Sequence, residues 1–376
     1  MVSRVNTFKE KAISVYNQYH HWQDPAFFIG GFLFDMVMTG RIDETFGIIQ
    51  QGTYLLLIAI FTSLDWYDQI QPFTFKNRLG QAWSYRRGFI HFLLGSLLNC
   101  YAIFYFKSAS LLTSFAFMFV LAAIVVANEL PKFKSYGAAM KFGMLSLCST
   151  SFLAYLVPIF YGRIGIVPFF MALILSLGFQ FLIYNYLRKK LSNHFSAEVN
   201  IYNHPVFQTV MAPAIATLLI FTGMYILKML PPVPLSAQYL GVYHSLEKEN
   251  GKFKLGYTRP SYYFWQNGDQ SFKARPGDKI FIFTRLFSPA KFKDQVNVRF
   301  EFLNAKDKWE YRDSIPMTIE GGRDEGFRGY VFKSNYQPGS WRVRLMTNDN
   351  REIRRIYFSI EVTLTEETTE YKFELQ

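Results

Sequence analysis

The sequence predicts an α+β multidomain protein: a polytopic α-helical membrane domain of about seven spans, then an all-β, immunoglobulin-like sandwich. Three observations predict it. Half of the 376 residues are hydrophobic and 19% are aromatic, with 40 Phe. A soluble core would have to be very large to bury that load, whereas lipid solvates it directly. The apolar residues gather in long runs before residue 231, and hydropathy falls sharply after Pro234. Beyond it, short runs alternate between turn signals, which is the pattern of strands.

The formal net charge of +12 raises the question of nucleic acid. The basic residues are scattered and flank apolar runs, as they do in membrane proteins. They build no basic face, so no nucleic-acid partner is expected and membrane lipid is. Cys100 and Cys148 both fall in apolar runs, which leaves the C-terminal domain without an internal disulfide and the redox compartment unread.

Residues 1–24 are polar and carry no apolar centre of a cleavable signal. They are expected to form a cytoplasmic segment, with the first apolar helix targeting the chain. Residues 25–40 make a short first candidate span, interrupted by Gly30 and Gly31 and containing Asp35. The runs 46–64, 88–106, 109–127, 138–161, 164–187 and 206–230 come next. Such lengths suit a hydrocarbon core about 30 Å thick. The helical domain thus covers 25–230, and a Pro-rich linker covers 231–238.

Basic residues in short loops set the orientation. The N-terminus and the loops 65–87, 128–137 and 188–205 hold twelve, while the intervening loops offer three: Arg41, Lys107 and Arg163. The basic-rich set is read as cytoplasmic. The chain after the last span therefore emerges outside, which in a Gram-negative cell is the periplasm.

In the region 239–376, YLGVYHSL and KFKLGYTR flank Asn250-Gly251, a strong hairpin signal. The runs KIFIFTRLF, VNVRFEFL, WEYRDSI, FRGYVFKS, WRVRLMT and IRRIYFSIEV continue the series, the last two joined by a turn at 348–350. An antiparallel sandwich of about seven or eight strands is the reading. Trp341, Val343 and Leu345 would enter its core, with Arg342 and Arg344 on a solvated face.

Three features of this region are specific: Gly321-Gly322-Arg323 before the strand Gly326-Phe327-Arg328, the run Pro338-Gly339-Ser340-Trp341-Arg342-Val343, and Arg354 four residues before Phe358. In them the region 260–362 resembles the bacterial domain of unknown function 2914, and FLFDMVMTGRIDETFGIIQQGTYLLL looks like the membrane segments that accompany it. The resemblance implies a bacterial envelope protein. It supplies no activity and no catalytic residues.

Asp35, Arg41, Asp43 and Glu44 form a candidate polar site at the outer end of the first span. An unpaired charge at depth is costly, so pairing of Asp35 with Arg41 is preferred to a substrate site. His91, Asn99, Gln180 and Asn185 fall within spans and are read as interhelical hydrogen-bonding groups. His20, His21, His194 and His204 lack the spacing of a metal site, so no metal or cofactor is expected. Asp65 and Asp68 would share a helix face and are read as a solvated helix end rather than a divalent-ion pair. Tyr262, Tyr263, Phe264 and Trp265 would point two to each face of a strand. Tyr263 and Trp265, with Arg342 and Arg344, make the candidate binding surface, suited to a glycan, a lipid head group or a protein partner. The same aromatics also suit a seat on the bilayer or packing against the chain's own membrane half. No GxSxG, P-loop or CxxC motif occurs.

The expected function is an integral inner-membrane protein that displays a periplasmic sandwich binding an envelope component, protein or glycan. The alternative is a membrane-embedded enzyme or transporter for a lipid-linked or small substrate, with the sandwich as cap or gate.

Overall fold

The computed structural model describes residues 40–73, 78–110, 113–129, 137–195, 202, 204–322, 326–363 and 370–376. The segment 1–24 and the candidate span 25–40, with Asp35 and all but its last residue, lie outside the described residues. Residues Met1–Arg41 form one unit and Ile42–Gln376 another. All the described helices and strands belong to the second.

The helices are α1 (Thr45–Ile70), α2 (Arg78–Ser84), α3 (Arg86–Ser108), α4 (Phe115–Glu129), α5 (Ala138–Tyr161), α6 (Ile166–Lys190) and α7 (Ala212–Ile226). Five segments are long and apolar enough to cross a membrane: α1, α3, α5, α6, and Phe207–Ile226, which ends in α7. Large apolar side chains such as Leu56, Ile60, Ile174 and Leu182 face outward from them, as hydrocarbon requires and water does not. The α5 helix is enclosed, touching α1, α3, α6 and α7.

Two spans differ from expectation for local reasons. The run expected at 109–127 gives a helix of 15 residues, about 22 Å long and short of a full crossing. The N–H groups of Thr113 and Ser114 turn back to Ser110 O (3.1 and 3.0 Å), and Ser110 Oγ reaches the β region. The last span opens with a π-helical turn, Phe207–Met211; Pro213 has no N–H to close the ordinary ladder there. It stops at Ile226 rather than 230 because Lys228 turns left-handed, φ 59°.

The β region begins at Ser236, inside the expected linker. Its strands are β1 (Ser236–Tyr243), β2 (Ser245–Glu249), β3 (Lys252–Tyr257), β4 (Ser271–Ala274), β5 (Ile280–Phe287), β6 (Lys293–Leu303), β7 (Trp309–Glu320), β8 (Phe327–Lys333), β9 (Gly339–Thr347), β10 (Glu352–Val362) and β11 (Lys372–Leu375). The order β4-β10-β9-β6-β7 makes a large sheet, and β1-β5-β8 a smaller one. The two share one core, with Val242, Ile282 and Leu286 from the small sheet meeting Phe300, Trp341, Val343 and Phe358 from the large. A third sheet, β11-β3-β2, packs Leu255 on the outer side of the small one, against Tyr243 and Phe283. The eleven described strands exceed the expected seven or eight because of this added sheet. The β4 strand also pairs parallel with β10, so the sandwich is mixed rather than purely antiparallel.

The Gly-Gly pair has a steric cause. A Cβ on Gly321 would lie 1.7 Å from the Pro289 carbonyl oxygen, and Gly321 N donates to Phe292 O at 2.8 Å. Only glycine permits that approach.

The sandwich is bonded directly to one end of the bundle. Ala290 N donates to Asp43 Oδ2 (3.3 Å), Ser236 Oγ to Lys107 O (2.6 Å), and Lys293 N to Gly162 O (2.9 Å). Ile164 N donates to Asp294 Oδ2 (3.0 Å), and Ser110 Oγ to Glu352. At the end of α7, Tyr225 Oη donates to Asp349 Oδ2 (2.6 Å) and Lys228 Nζ to Asp349 O (2.7 Å). Arg351 reaches Pro231 O at 3.3 Å and lies over the Tyr225 ring.

Candidate functional site

The loop between β3 and β4 holds the consecutive aromatics. It is irregular rather than a strand, so the side chains do not alternate between two faces. Tyr262, Phe264 and Trp265 are 66%, 81% and 63% exposed, while Tyr263 is half-buried. The loop's base is nonetheless fixed. Asp269 is buried, and its carboxylate accepts from the backbone N–H groups of Thr258 and Arg259, each at 2.7 Å. Arg259 Nη1 donates to Tyr263 O at 2.8 Å. Gly268, φ +67°, lets the backbone pass Val242 at a distance that any side chain would block. The base therefore sits beside Val242, six residues and about 20 Å along β1 from Ser236, which touches the helices.

Arg342 and Arg344 lie on the outer face of the large sheet, but that face is not simply solvated. Arg342 Nε pairs with Glu301. Arg344 bridges Glu301 (3.3 Å) and Glu352 (2.6 Å), and Arg355 closes on Glu352 at 2.5 Å. Both glutamates are buried. Burial alone would raise the Glu352 carboxyl, but Arg355, Ser110 and Arg344 hold it below the ordinary glutamate value. The sheet order sets β4, which the aromatic loop enters, two strands from β9. Tyr263 and Trp265 thus belong to a loop at the sheet edge, and Arg342 and Arg344 to the sheet face.

At the far end of the bundle lies a charged cluster where the sequence suggests a solvated helix end. Asp65 is 1% exposed and pairs with Lys141 Nζ (2.7 Å), Arg86 Nε (2.7 Å) and Arg87 Nε (3.2 Å). Asp68 takes Arg86 Nη2 at 2.7 Å, Trp83 Nε1 at 3.0 Å and Phe73 N at 2.7 Å. Lys141 is the residue that sequence reasoning missed. A lone lysine in the run beginning at Ala138 is itself a signal, because a charge within a span needs a partner. Further along α5, Ser149 and Thr150 bond Ser176 Oγ at 3.0 and 2.9 Å, and Tyr155 Oη donates to Gln51 at 2.7 Å.

The other expected residues are dispersed. Arg41 and Glu44 are exposed, and Asp43 accepts from the sandwich. His91, Gln180 and His204 are buried, whereas Asn185 and His194 are exposed.

Among curated proteins no relative matches the chain. Solved structures with local likeness include a β-glucosidase from Listeria innocua in complex with glucose, 12% identical with a TM-score of 0.18. That match covers 33% of this chain, which spans 16% of the enzyme's length. An immunoglobulin-like protein from Pseudomonas aeruginosa is 12% identical with a TM-score of 0.18, over 32% of this chain and 96% of that one. The alkylpurine DNA glycosylase AlkC of Pseudomonas fluorescens, bound to DNA, is 10% identical with a TM-score of 0.21, over 86% and 100% of the two chains. At such scores none of the three bears on activity. Residues 304–360, from the turn before β7 to the body of β10, match the model of the protein family of unknown function DUF2914, so the C-terminal region carries a domain of that family.

Proposed function

We propose that the chain is a multi-pass protein of a bacterial inner membrane that mounts an immunoglobulin-like sandwich on the periplasmic side and presents the loop 258–270 to another envelope protein. The observation that carries this reading is the contrast within the loop: three large aromatic side chains stand more than 60% exposed on a base pinned by buried Asp269. Exposed aromatics on a fixed frame are the anchors that protein interfaces favour. A seat on the bilayer is disfavoured by the position of the loop base, about 20 Å along β1 from the helix contact. The orientation is supported by the basic-residue bias. The loops bonded beneath the sandwich are those near Asp43, Lys107 and Gly162, which belong to the basic-poor set.

The test is in-cell photo-crosslinking of the full chain, with a photoreactive residue replacing Phe264 or Trp265 in turn. An adduct with a second envelope protein is expected. Adducts restricted to lipid or to the chain's own helices would overturn the reading.

The Asp65–Lys141 cluster favours a second reading, in which the bundle handles a lipid-linked or small substrate and the sandwich caps it. An enclosed ionisable pair in a spanning bundle is a natural working group. Under that reading Asp65→Asn abolishes the cellular phenotype while crosslinks from residue 264 persist.

A further inference from the structure

The outer face of the large sheet carries a second surface, and its case does not rest on the aromatic loop. Strand register brings Arg299, Arg344 and Arg355 side by side on three neighbouring strands. Like charges directly opposite one another destabilise a sheet, so this row works against folding unless something offsets it. Glu301 and Glu352 do so in part, through Arg342, Arg344 and Arg355. Four arginines against two glutamates leave two positive charges in surplus. Arg299 is where the compensation runs out. It reaches Asn350 Oδ1 at 3.1 Å and lies over the Tyr311 ring, its Nε is buried without a hydrogen-bond partner, and no acid among the described residues pairs with it.

The adjacent row holds Tyr311, Glu301, Arg342 and Tyr357 in register. Tyr311 and Tyr357 are 61% and 42% exposed, and three strand spacings, about 14 Å, separate them. Trp309 packs on Tyr357 with ring centroids 5.6 Å apart. Exposed rings offer a flat apolar surface to the C–H face of a sugar, and guanidinium groups fit carboxylate or phosphate oxygens in pairs.

We propose that this face binds an anionic saccharide, its acid group on the Arg299–Arg344 row and its rings on Tyr311 and Tyr357. The separation of the two tyrosines fits a short oligosaccharide laid across the strands.

The test uses the full chain in detergent, titrated with an oligogalacturonate, a phosphorylated oligosaccharide, an uncharged chito-oligosaccharide and a polyglutamate peptide. Binding of either charged sugar, weakening as salt is added, is the expected result. Arg299→Gln and Tyr357→Leu should each weaken it about tenfold or more. Arg299→Gln leaves the arginine–glutamate pairs standing, and unchanged thermal unfolding of each variant would show that the fold survives. Phe264→Ser should leave sugar binding intact, which separates this proposal from the loop's role. Binding of neither charged sugar, equal binding of the uncharged one, or equal binding of polyglutamate would overturn it.

Discussion

At the scale of single residues, the three cations around Asp65 make an asymmetric prediction. Asp65→Asn removes the one carboxylate shared by Lys141, Arg86 and Arg87, and breaking a buried pair in this way costs about 3–5 kcal/mol. Lys141→Met leaves Asp65 still bonded to Arg86 at 2.7 Å, so it should cost clearly less. Thermal unfolding of the two variants in detergent checks the order; equal losses would contradict it. The cluster was only half legible in the sequence. Asp65 and Asp68 are visible as a pair three apart, but Asp65's partners Arg86 and Lys141 lie 21 and 76 residues away. Only the register of α1 against α5 brings Lys141 to Asp65, and no local pattern encodes that distance. Arg342 and Arg344 are a similar case. Their alternation with Trp341, Val343 and Leu345 marked the core face correctly, yet the buried glutamates opposite them come from β6 and β10.

At the scale of elements, glycine positions separate required from tolerated backbone. Gly321→Ala drives a Cβ to within 1.7 Å of the Pro289 carbonyl and should destabilise the sandwich by about 1–3 kcal/mol. Gly143→Ala meets only Pro213 Cβ at 3.4 Å and should be neutral, or stabilise α5 by up to about 1 kcal/mol. Melting curves of the two variants test the contrast, and a Gly321→Ala protein as stable as the parent would refute the steric account. Long elements were readable because their periodicity is redundant: α5 follows its expected limits, 138–161, to the residue. Where the chain interrupts a run to make a tertiary bond, the pattern carried no warning, as at Ser110 between α3 and α4. The loop 258–270 departs from the strand expectation for the opposite reason. Its aromatics are strand formers by propensity, but Asp269 and Gly268 hold the segment in turns.

At the scale of the whole molecule, the sandwich and bundle meet through carboxylates whose titration has a definite sign. Burial would raise Asp349, yet Arg351, Thr347 and Tyr225 hold it below the ordinary value of 3.8. Glu352 is likewise held below 4.5. Each contribution is complete above the unfolded value and is lost as pH falls through the lower folded one. Asp294 has the opposite sign: burial raises it, against the N–H groups of Gln295 and Ile164, so its effect is most favourable at low pH and fades as pH rises through its folded value. With two groups against one, the seam should loosen below about pH 4. The protection of the Lys293 amide, which donates to Gly162 O across the seam, should then fall before protection in the sandwich core; simultaneous loss of both would contradict a distinct seam.

Display of the loop to an envelope partner requires the sandwich to lie outside the membrane, on the basic-poor side of the bundle. The most direct measurement is labelling of single cysteines in spheroplasts by a membrane-impermeant maleimide, with Cys100 and Cys148 replaced. Phe264→Cys, on the exposed loop, should be labelled in intact spheroplasts, and Ser192→Cys, just past α6 at the other end of the bundle, only after the membrane is opened. The reverse pattern would place the sandwich in the cytoplasm and contradict both the orientation and the proposed display of the aromatic loop.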